Sequence, residues 1–366
     1  MAAPSRPTQA TSPALAHERE SSSACATRLG ISREAAELFH GSSVIDLHID
    51  SFIWQRLFGY DIGQRHGRGL FCGRFYSQVD LPRLRQVGLD GATWVITTNP
   101  WRHSIGKRKT FAQNLRVLKA TLARHEGELE IVQNTSQFHA AVAQGKHAAF
   151  LGIQGGNCLD AGLDALDELQ PQQVLRVTLV HLSSSKLGAT SAPSLGPKGL
   201  TVFGRSYVQR LNEMRILVDL AHIHPQGFDD ALEASDPSLP VVVTHTGVDG
   251  VHPHWRNLSD RQIRSIADRG GTIGVMYHCP FLGDGWLGGS AGRVVDHMQH
   301  IIQVAGDDYV SLGSDWDGAI VTPRDMRTCL ELPRLVQAML ERRFSVERIQ
   351  KILGENFLRV LTDLRG

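Results

Sequence analysis

The chain has 366 residues, 42% of them apolar and 20% charged, with a formal net charge of +1 and basic residues spread along its length. This composition suits a soluble globular protein with a substantial core, and the near-neutral, unclustered charge excludes a nucleic-acid or polyanion footprint. Five cysteines, Cys25, Cys72, Cys158, Cys279 and Cys329, are too few for a disulfide scaffold and include no CxxC pair, so they read as mostly free thiols in a reducing cytoplasm.

The N-terminal stretch is rich in Ala, Ser, Pro and Thr and has no apolar run of the kind a signal peptide needs. Residues 1–30 are therefore expected to form a disordered arm, and residues 31–366 a single domain. No later stretch approaches the roughly twenty apolar residues of a membrane span, so none is expected.

From Val44 onward, short β-branched apolar runs alternate with longer segments of helical period. Strands are predicted over 44–50, 91–97, 148–154, 175–181, 216–222, 240–245, 272–278 and 309–315. Most are near-continuous apolar runs, the mark of parallel strands buried on both faces. Between them, 110–125, 203–215, 260–269, 291–305 and 331–353 carry apolar residues at spacings of three and four. Ser259 is a plausible N-cap for the third of these. Eight strand–helix repeats predict a (β/α)8 TIM barrel, with an open doubly wound sheet as the alternative. No GxGxxG follows the first strand, which removes the usual reason to prefer the open sheet.

The polar residues that close these strands carry the functional signal. The first ends in His48 and Asp50, the third in Gln154, and the fourth to seventh in His181, His222, His245 and His278; the eighth ends in Asp315. In a barrel these positions converge on the C-terminal face, where active sites of this fold are built. One histidine after an apolar strand is commonly a satisfied core residue, but five gathered in one cavity would leave many imidazole nitrogens without partners unless a metal takes them. His48 and Asp50, two apart on a strand, point to one face and can share an ion. His222 and His245, from neighbouring strands, can hold a second one about 3.5–4 Å away in a binuclear site. His66, His103, His125, His139, His147, His297 and His300 fall in loops or helical segments and read as surface residues. His224, His252 and His254 lie in rim loops, and Asp317 reads as a residue that orients its loop.

The order and spacing of several short motifs resemble the membrane (renal) dipeptidase family, the M19 peptidases of the amidohydrolase superfamily. They include Val44-Ile45-Asp46-Leu47-His48-Ile49-Asp50, Leu151-Gly152-Ile153-Gln154-Gly155-Gly156-Asn157, Leu179-Val180-His181, Val218-Asp219-Leu220-Ala221-His222, Thr244-His245-Thr246, Arg256-Asn257-Leu258 and Leu312-Gly313-Ser314-Asp315-Trp316-Asp317-Gly318. The resemblance spans Val44 to the C-terminus. It implies Zn2+ on His48 and Asp50, a second Zn2+ on His222 and His245, and a bridging carboxylate at the end of the third strand. It further implies His181 polarising the scissile carbonyl, Arg256 holding the substrate carboxylate and Asp315 handling protons. The implied substrate is a dipeptide or related small amide, and family members are often homodimers.

Three positions depart from that pattern. Gln154 stands where the family has its bridging glutamate, Asn157 where it has histidine, and His278, a substrate-binding position, where relatives usually carry tyrosine. A neutral amide cannot hold two dications together, which implies one ion per chain or a weak second one. The sequence therefore leaves three readings: a metal-dependent dipeptidase, a metalloenzyme of the same fold with altered chemistry, and a non-catalytic binding protein. His181, Arg256 and Asp315, retained together, favour catalysis.

Overall fold

The computed structural model describes residues 19–67, 75–98, 104–193, 196, 198–286 and 288–366; Cys72 and His103 lie outside them. Among the described residues nine strands form, all parallel: β1 (Ile45–Ile49), β2 (Gly91–Thr97), β3 (Leu129–Ile131), β4 (His147–Gln154), β5 (Val174–Thr178), β6 (Leu217–Asp219), β7 (Val241–Thr246), β8 (Ile273–Val275) and β9 (Val310–Leu312). Eight of them close a ring in the order β1, β2, β4, β5, β6, β7, β8, β9 and back to β1, with helices between them. This is the (β/α)8 barrel.

The remaining strand, β3, was not expected. It pairs with the first residues of β4, His147 to Ala149, while β5 takes over from Leu151. Only three residues long, with a single buried position at Leu129, it carries too little apolar periodicity to be read from sequence.

Helix ends follow local chemistry. Ser259 and Gln262 form a reciprocal capping box that starts Asp260–Asp268, and the Ser290 hydroxyl caps Ala291–Ala305. The predicted helix over 331–353 is instead broken. Pro333 opens Pro333–Glu341, Arg343 adopts a left-handed φ of 60°, and Ser345 caps a new start at Val346–Gln350. A wide turn at Lys351–Glu355 then leads into the terminal helix Asn356–Arg365. That helix lies across the N-terminal end of the barrel. Arg359 donates to the carbonyls of Gly270, Gly271 and Asp308, and Arg365 to those of Gln133, Val174 and Arg215. Beneath it Phe357, Val360 and Leu361 join Ile45, Leu47, Phe150, Leu175, Leu217 and Val242 in one apolar layer.

Two expectations are corrected. The expected disordered arm reaching residue 30 is helical over Ser22–Leu29, capped by Ser21, because Cys25 and Leu29 bury against Ala36; residues 1–18 lie outside the described residues. His147 and His297 are not surface residues but are buried, each with both ring nitrogens bonded. Cys25, Cys158, Cys279 and Cys329 are buried and free of disulfides, and no helix among the described residues is long and apolar enough to cross a membrane.

His147 gives the fold an acid sensitivity. Its Nδ1–H donates to the Leu89 carbonyl (2.9 Å) and its Nε2 accepts from Trp94 Nε1 (3.2 Å), so a second proton would set two donors against each other. Burial lowers its pKa from 6.5 to about 4. A depressed folded pKa means that this stability is full above the unfolded value and is lost as pH falls towards the folded one, by about 3 kcal/mol in all. His147→Gln keeps an acceptor for Trp94 but cannot titrate. Its urea-unfolding free energy should therefore fall by about 2–3 kcal/mol less than that of the wild type between about pH 7 and about pH 4.5. Equal losses in the two proteins would show that His147 does not carry the effect.

Candidate metal centre

The polar side chains meet at the C-terminal mouth of the barrel. His48, Gln154 and His245 stand on β1, β4 and β7, whereas His181, His222, His278 and Asp315 each lie three residues beyond the end of β5, β6, β8 and β9. The chain turns inward there by leaving strand geometry: His222 and Asp315 have left-handed φ values of 66° and 62°. Buried carboxylates pin these turns. Asp46 accepts from the backbone N–H groups of His48 (2.9 Å) and Ser314 (3.2 Å), and Asp219 from those of Ala221 (3.1 Å) and Thr244 (3.0 Å). Asp317 takes N–H of Gln78 and the Ser51 hydroxyl, which orients its loop.

Four of the predicted ligands share one cluster. His222 Nε2 lies 2.8 Å from His245 Nε2, and the His48 and His245 ring centroids are 3.9 Å apart. His48 Nε2 is 3.4 Å from Asp50 Oδ2 and 3.7 Å from Asp315 Oδ1. Ligand atoms of His48, His245 and Asp315 all lie within 4.8 Å of one another. Gln154 completes the floor. Its amide nitrogen donates to His222 Nε2 (3.0 Å) and His245 Nε2 (3.3 Å), and its carbonyl oxygen accepts from Thr97 Oγ1 (2.9 Å), which also contacts Asp50 Oδ1 (2.5 Å).

Burial keeps the imidazoles neutral. It lowers His48, with partial relief from Asp50, and takes His222 and His245 well below the ordinary range with help from the Arg256 charge; His181 falls to about 4. Burial alone would raise Asp50, but hydrogen bonds from His48 and Thr97 outweigh it and hold the carboxyl low. Burial and the neighbouring Asp50 push Asp315 well above the usual carboxylate range. Two carboxylates so close are pushed apart in proton affinity.

A model of the membrane dipeptidase family, peptidase family M19, matches residues 32–365. The chain belongs to this family. Among solved structures, the dipeptidase AC of M19 is similar at 24% identity and a TM-score of 0.78, over 87% of this chain and 98% of that one. A metallopeptidase from Rhodobacter sphaeroides, liganded with a phosphinate mimic of the dipeptide L-Ala-D-Ala, is similar at 23% identity and a TM-score of 0.78, over 88% and 99%. An amidohydrolase from Pseudomonas aeruginosa shares 24% identity at a TM-score of 0.74, over 90% and 98%. At these identities the likeness is one of fold.

Membership of the M19 family implies a metal, and the donor set fits one ion. Two imidazole nitrogen lone pairs 2.8 Å apart repel each other unless a proton or a cation lies with them. His245 is held in the ligating tautomer: the Thr244 hydroxyl donates to Asp219 Oδ2 (2.7 Å), so it can only accept from His245 Nδ1–H (3.0 Å), which leaves Nε2 bare. His48 differs. Its Nδ1 accepts from Arg176 Nη2 (2.7 Å), so the neutral ring carries its proton on Nε2 and would ligate there only as the other tautomer, with Arg176 turned away from Nδ1. Gln154 turns N–H groups, not an oxygen, toward the imidazoles, which is no bridge for a pair of dications.

The sequence reading missed the layer beneath this M19 centre. Arg176, buried in the barrel, donates to Asp219 Oδ2 (2.8 Å), Thr178 Oγ1 (2.6 Å) and His48 Nδ1. Room for it comes from Gly152, where a Cβ would stand 3.2 Å from the guanidinium carbon and 2.9 Å from Thr93 Cγ2. The available signal was one buried charge of each sign within the apolar runs of neighbouring strands, Leu175-Arg176-Val177 and Val218-Asp219-Leu220.

Above the centre opens a cavity of about 360 Å3, lined by Asp50, Thr97, Gln154, His181, His222 and Asp315 on its polar side, and by His278. Arg256 is not among its lining residues. The guanidinium is buried, donates through Nη2 to the His245 carbonyl (2.7 Å), and leaves Nε without a partner. Asn157 also stands apart from the cavity; with its amide turned over, its nitrogen donates to the Gly155 carbonyl and its oxygen accepts from Lys107 Nζ. Of the rim histidines, His224 caps Pro225–Ala234 and His254 stacks on Phe281.

Proposed function

We propose that this M19 family member is a zinc-dependent hydrolase of dipeptides or closely related small amides, with one tightly held ion. The observation that carries the reading is the convergence of His222 and His245 Nε2 beside His48, Asp50 and Asp315 at the floor of a ligand-sized cavity. His222, His245, His48 and Asp50 would hold the ion, with the Gln154 carbonyl available only if its amide turns. A bound Zn2+ supplies Lewis acidity to the scissile carbonyl and lowers the pKa of water.

The chain's own groups do the rest. His181, neutral and lining the cavity, donates a hydrogen bond to the carbonyl oxygen. Asp315 lies at the same floor, 3.7 Å from His48, where a carboxylate can take a proton from the attacking water and pass it to the leaving amine nitrogen. His278 orients the substrate from the wall, and Arg256, within electrostatic reach of Asp315, attracts the substrate carboxylate.

Purified protein should hydrolyse dipeptides, lose that activity to a chelator and regain it with Zn2+. Arg256→Leu should lower kcat/KM on free dipeptides by about tenfold and on their C-terminal amides much less, since the Arg256 charge, buried behind the lining, acts on the carboxylate at a distance, by about 1–2 kcal/mol at an effective dielectric of about 20. Hydrolysis indifferent to chelator would remove the metal from the mechanism, and equal losses on both substrates would remove the carboxylate role of Arg256.

A further inference from the structure

Besides its polar floor, the cavity is lined by Ile53, Leu57, Leu182, Phe281, Ala319 and Ile320. Leu57 and Leu182 are 59% and 47% exposed, so their side chains are open to a ligand in the cavity. Phe281 is held rigidly. It stacks on His254 with ring centroids 4.4 Å apart and meets His278 edge-on at 4.5 Å, while Trp286 meets His278 edge-on at 5.9 Å.

His278 is set within this apolar frame as a single polar contact. Its Nδ1 accepts from the Val321 backbone N–H (2.9 Å), so the ring proton stands on Nε2, for which no partner occurs among the described residues. The ring is 8% exposed, and burial keeps it neutral, with a pKa of about 4. An Nε2–H open to the cavity is placed to donate to an acceptor of the ligand.

The charges of the cavity point the same way. Asp50 and Asp315 face into it, and the one guanidinium among the described lining residues, Arg56, donates to the Thr97 carbonyl (3.2 Å). Asp50 and Asp315 set against Arg56 offer an acidic side chain no net attraction, and the rest of the wall is apolar.

We infer that the cavity selects dipeptides bearing a large aliphatic or aromatic side chain, packed on Leu57, Leu182 and Phe281, with His278 Nε2–H donating to an oxygen of the substrate backbone. This rests on the hydrolase reading above and narrows its substrate class. A large apolar side chain moved from water onto such a wall typically favours binding by about tenfold to a hundredfold.

The test uses two phosphinate dipeptide analogues, which cannot be hydrolysed, one with a phenylalanine-like and one with an aspartate-like side chain. Their affinities for the zinc-loaded protein are measured by calorimetry. The apolar analogue should bind at least about tenfold more tightly, and Leu182→Arg or Leu57→Arg, at exposed positions where folding is not at stake, should narrow or invert that ratio. Equal affinities, or tighter binding of the acidic analogue, overturn the selectivity and leave the hydrolase reading standing. Failure to bind either analogue overturns both.

Discussion

Gln154→Glu should raise the zinc content of the protein from about one tightly held ion per chain towards two, and should increase dipeptide hydrolysis. In the wild type the position between the imidazoles and Asp50 is occupied by an amide that turns its N–H groups to His222 and His245 and its oxygen to Thr97. Nothing in that arrangement offsets the repulsion between two dications. A carboxylate at the same place contributes a full negative charge, and unit charges about 4 Å apart attract by about 4 kcal/mol at an effective dielectric of about 20. Even after a large discount for desolvation, the second ion should bind at least about a hundredfold more tightly. Without metal the variant should be the less stable protein, because the new carboxylate joins Asp50 and Asp315 in a buried site. Metal analysis after dialysis against a weak chelator reads the stoichiometry, and thermal unfolding with and without zinc reads the coupling. Two chelator-resistant ions in the wild type would show that another anion bridges them. A doubly loaded variant with no hydrolysis would favour altered chemistry on the same scaffold.

Arg176→Met should cost about 3–5 kcal/mol of folding stability, the usual consequence of removing one member of a buried ion pair. Arg176 and Asp219 are 1% and 0% exposed, and the guanidinium is the only cation bonded to that carboxylate among the described residues. Removing it leaves Asp219 with the Thr178 and Thr244 hydroxyls and two backbone N–H groups, too little to replace water around a full charge. The double variant Arg176→Met, Asp219→Leu should recover much of the loss, since an apolar pair of similar volume has no charge to desolvate. The same pair positions the metal centre: Arg176 bonds His48, and Asp219 reaches His245 through Thr244. Both variants should therefore bind zinc more weakly even where stability returns. Urea unfolding and zinc titration separate the two effects. A single-variant loss below about 1 kcal/mol would mean that the pair is not carrying the charge balance of the barrel interior.

The barrel and the rim of the site were legible in the sequence because both are repeated signals. Eight apolar runs recur with room for a helix between them, and a polar side chain closes nearly every one. Register along a single strand is enough to place His48, Gln154 and His245 at its end. The family motifs carried the same positions, including the departure at Gln154. What the sequence left open depends on neighbours that are distant in the chain. Arg176 and Asp219 read as interruptions of apolar strands until β5 and β6 lie side by side and each charge answers the other. His147 and His297 read as surface residues until Trp94, Leu89, Val248 and Leu282 close around them. The short helix Ser22–Leu29 has no strong apolar face of its own and forms where Ala36 and its neighbours cover it. Tautomers are decided the same way. His48 and His245 are the same residue type at the same kind of position, yet a guanidinium behind one and a threonine hydroxyl behind the other put their protons on opposite ring nitrogens. A chain's periodicity sets which side chains reach the mouth of the barrel; only the packed interior, where every buried donor must find an acceptor, decides which of their atoms face the ion.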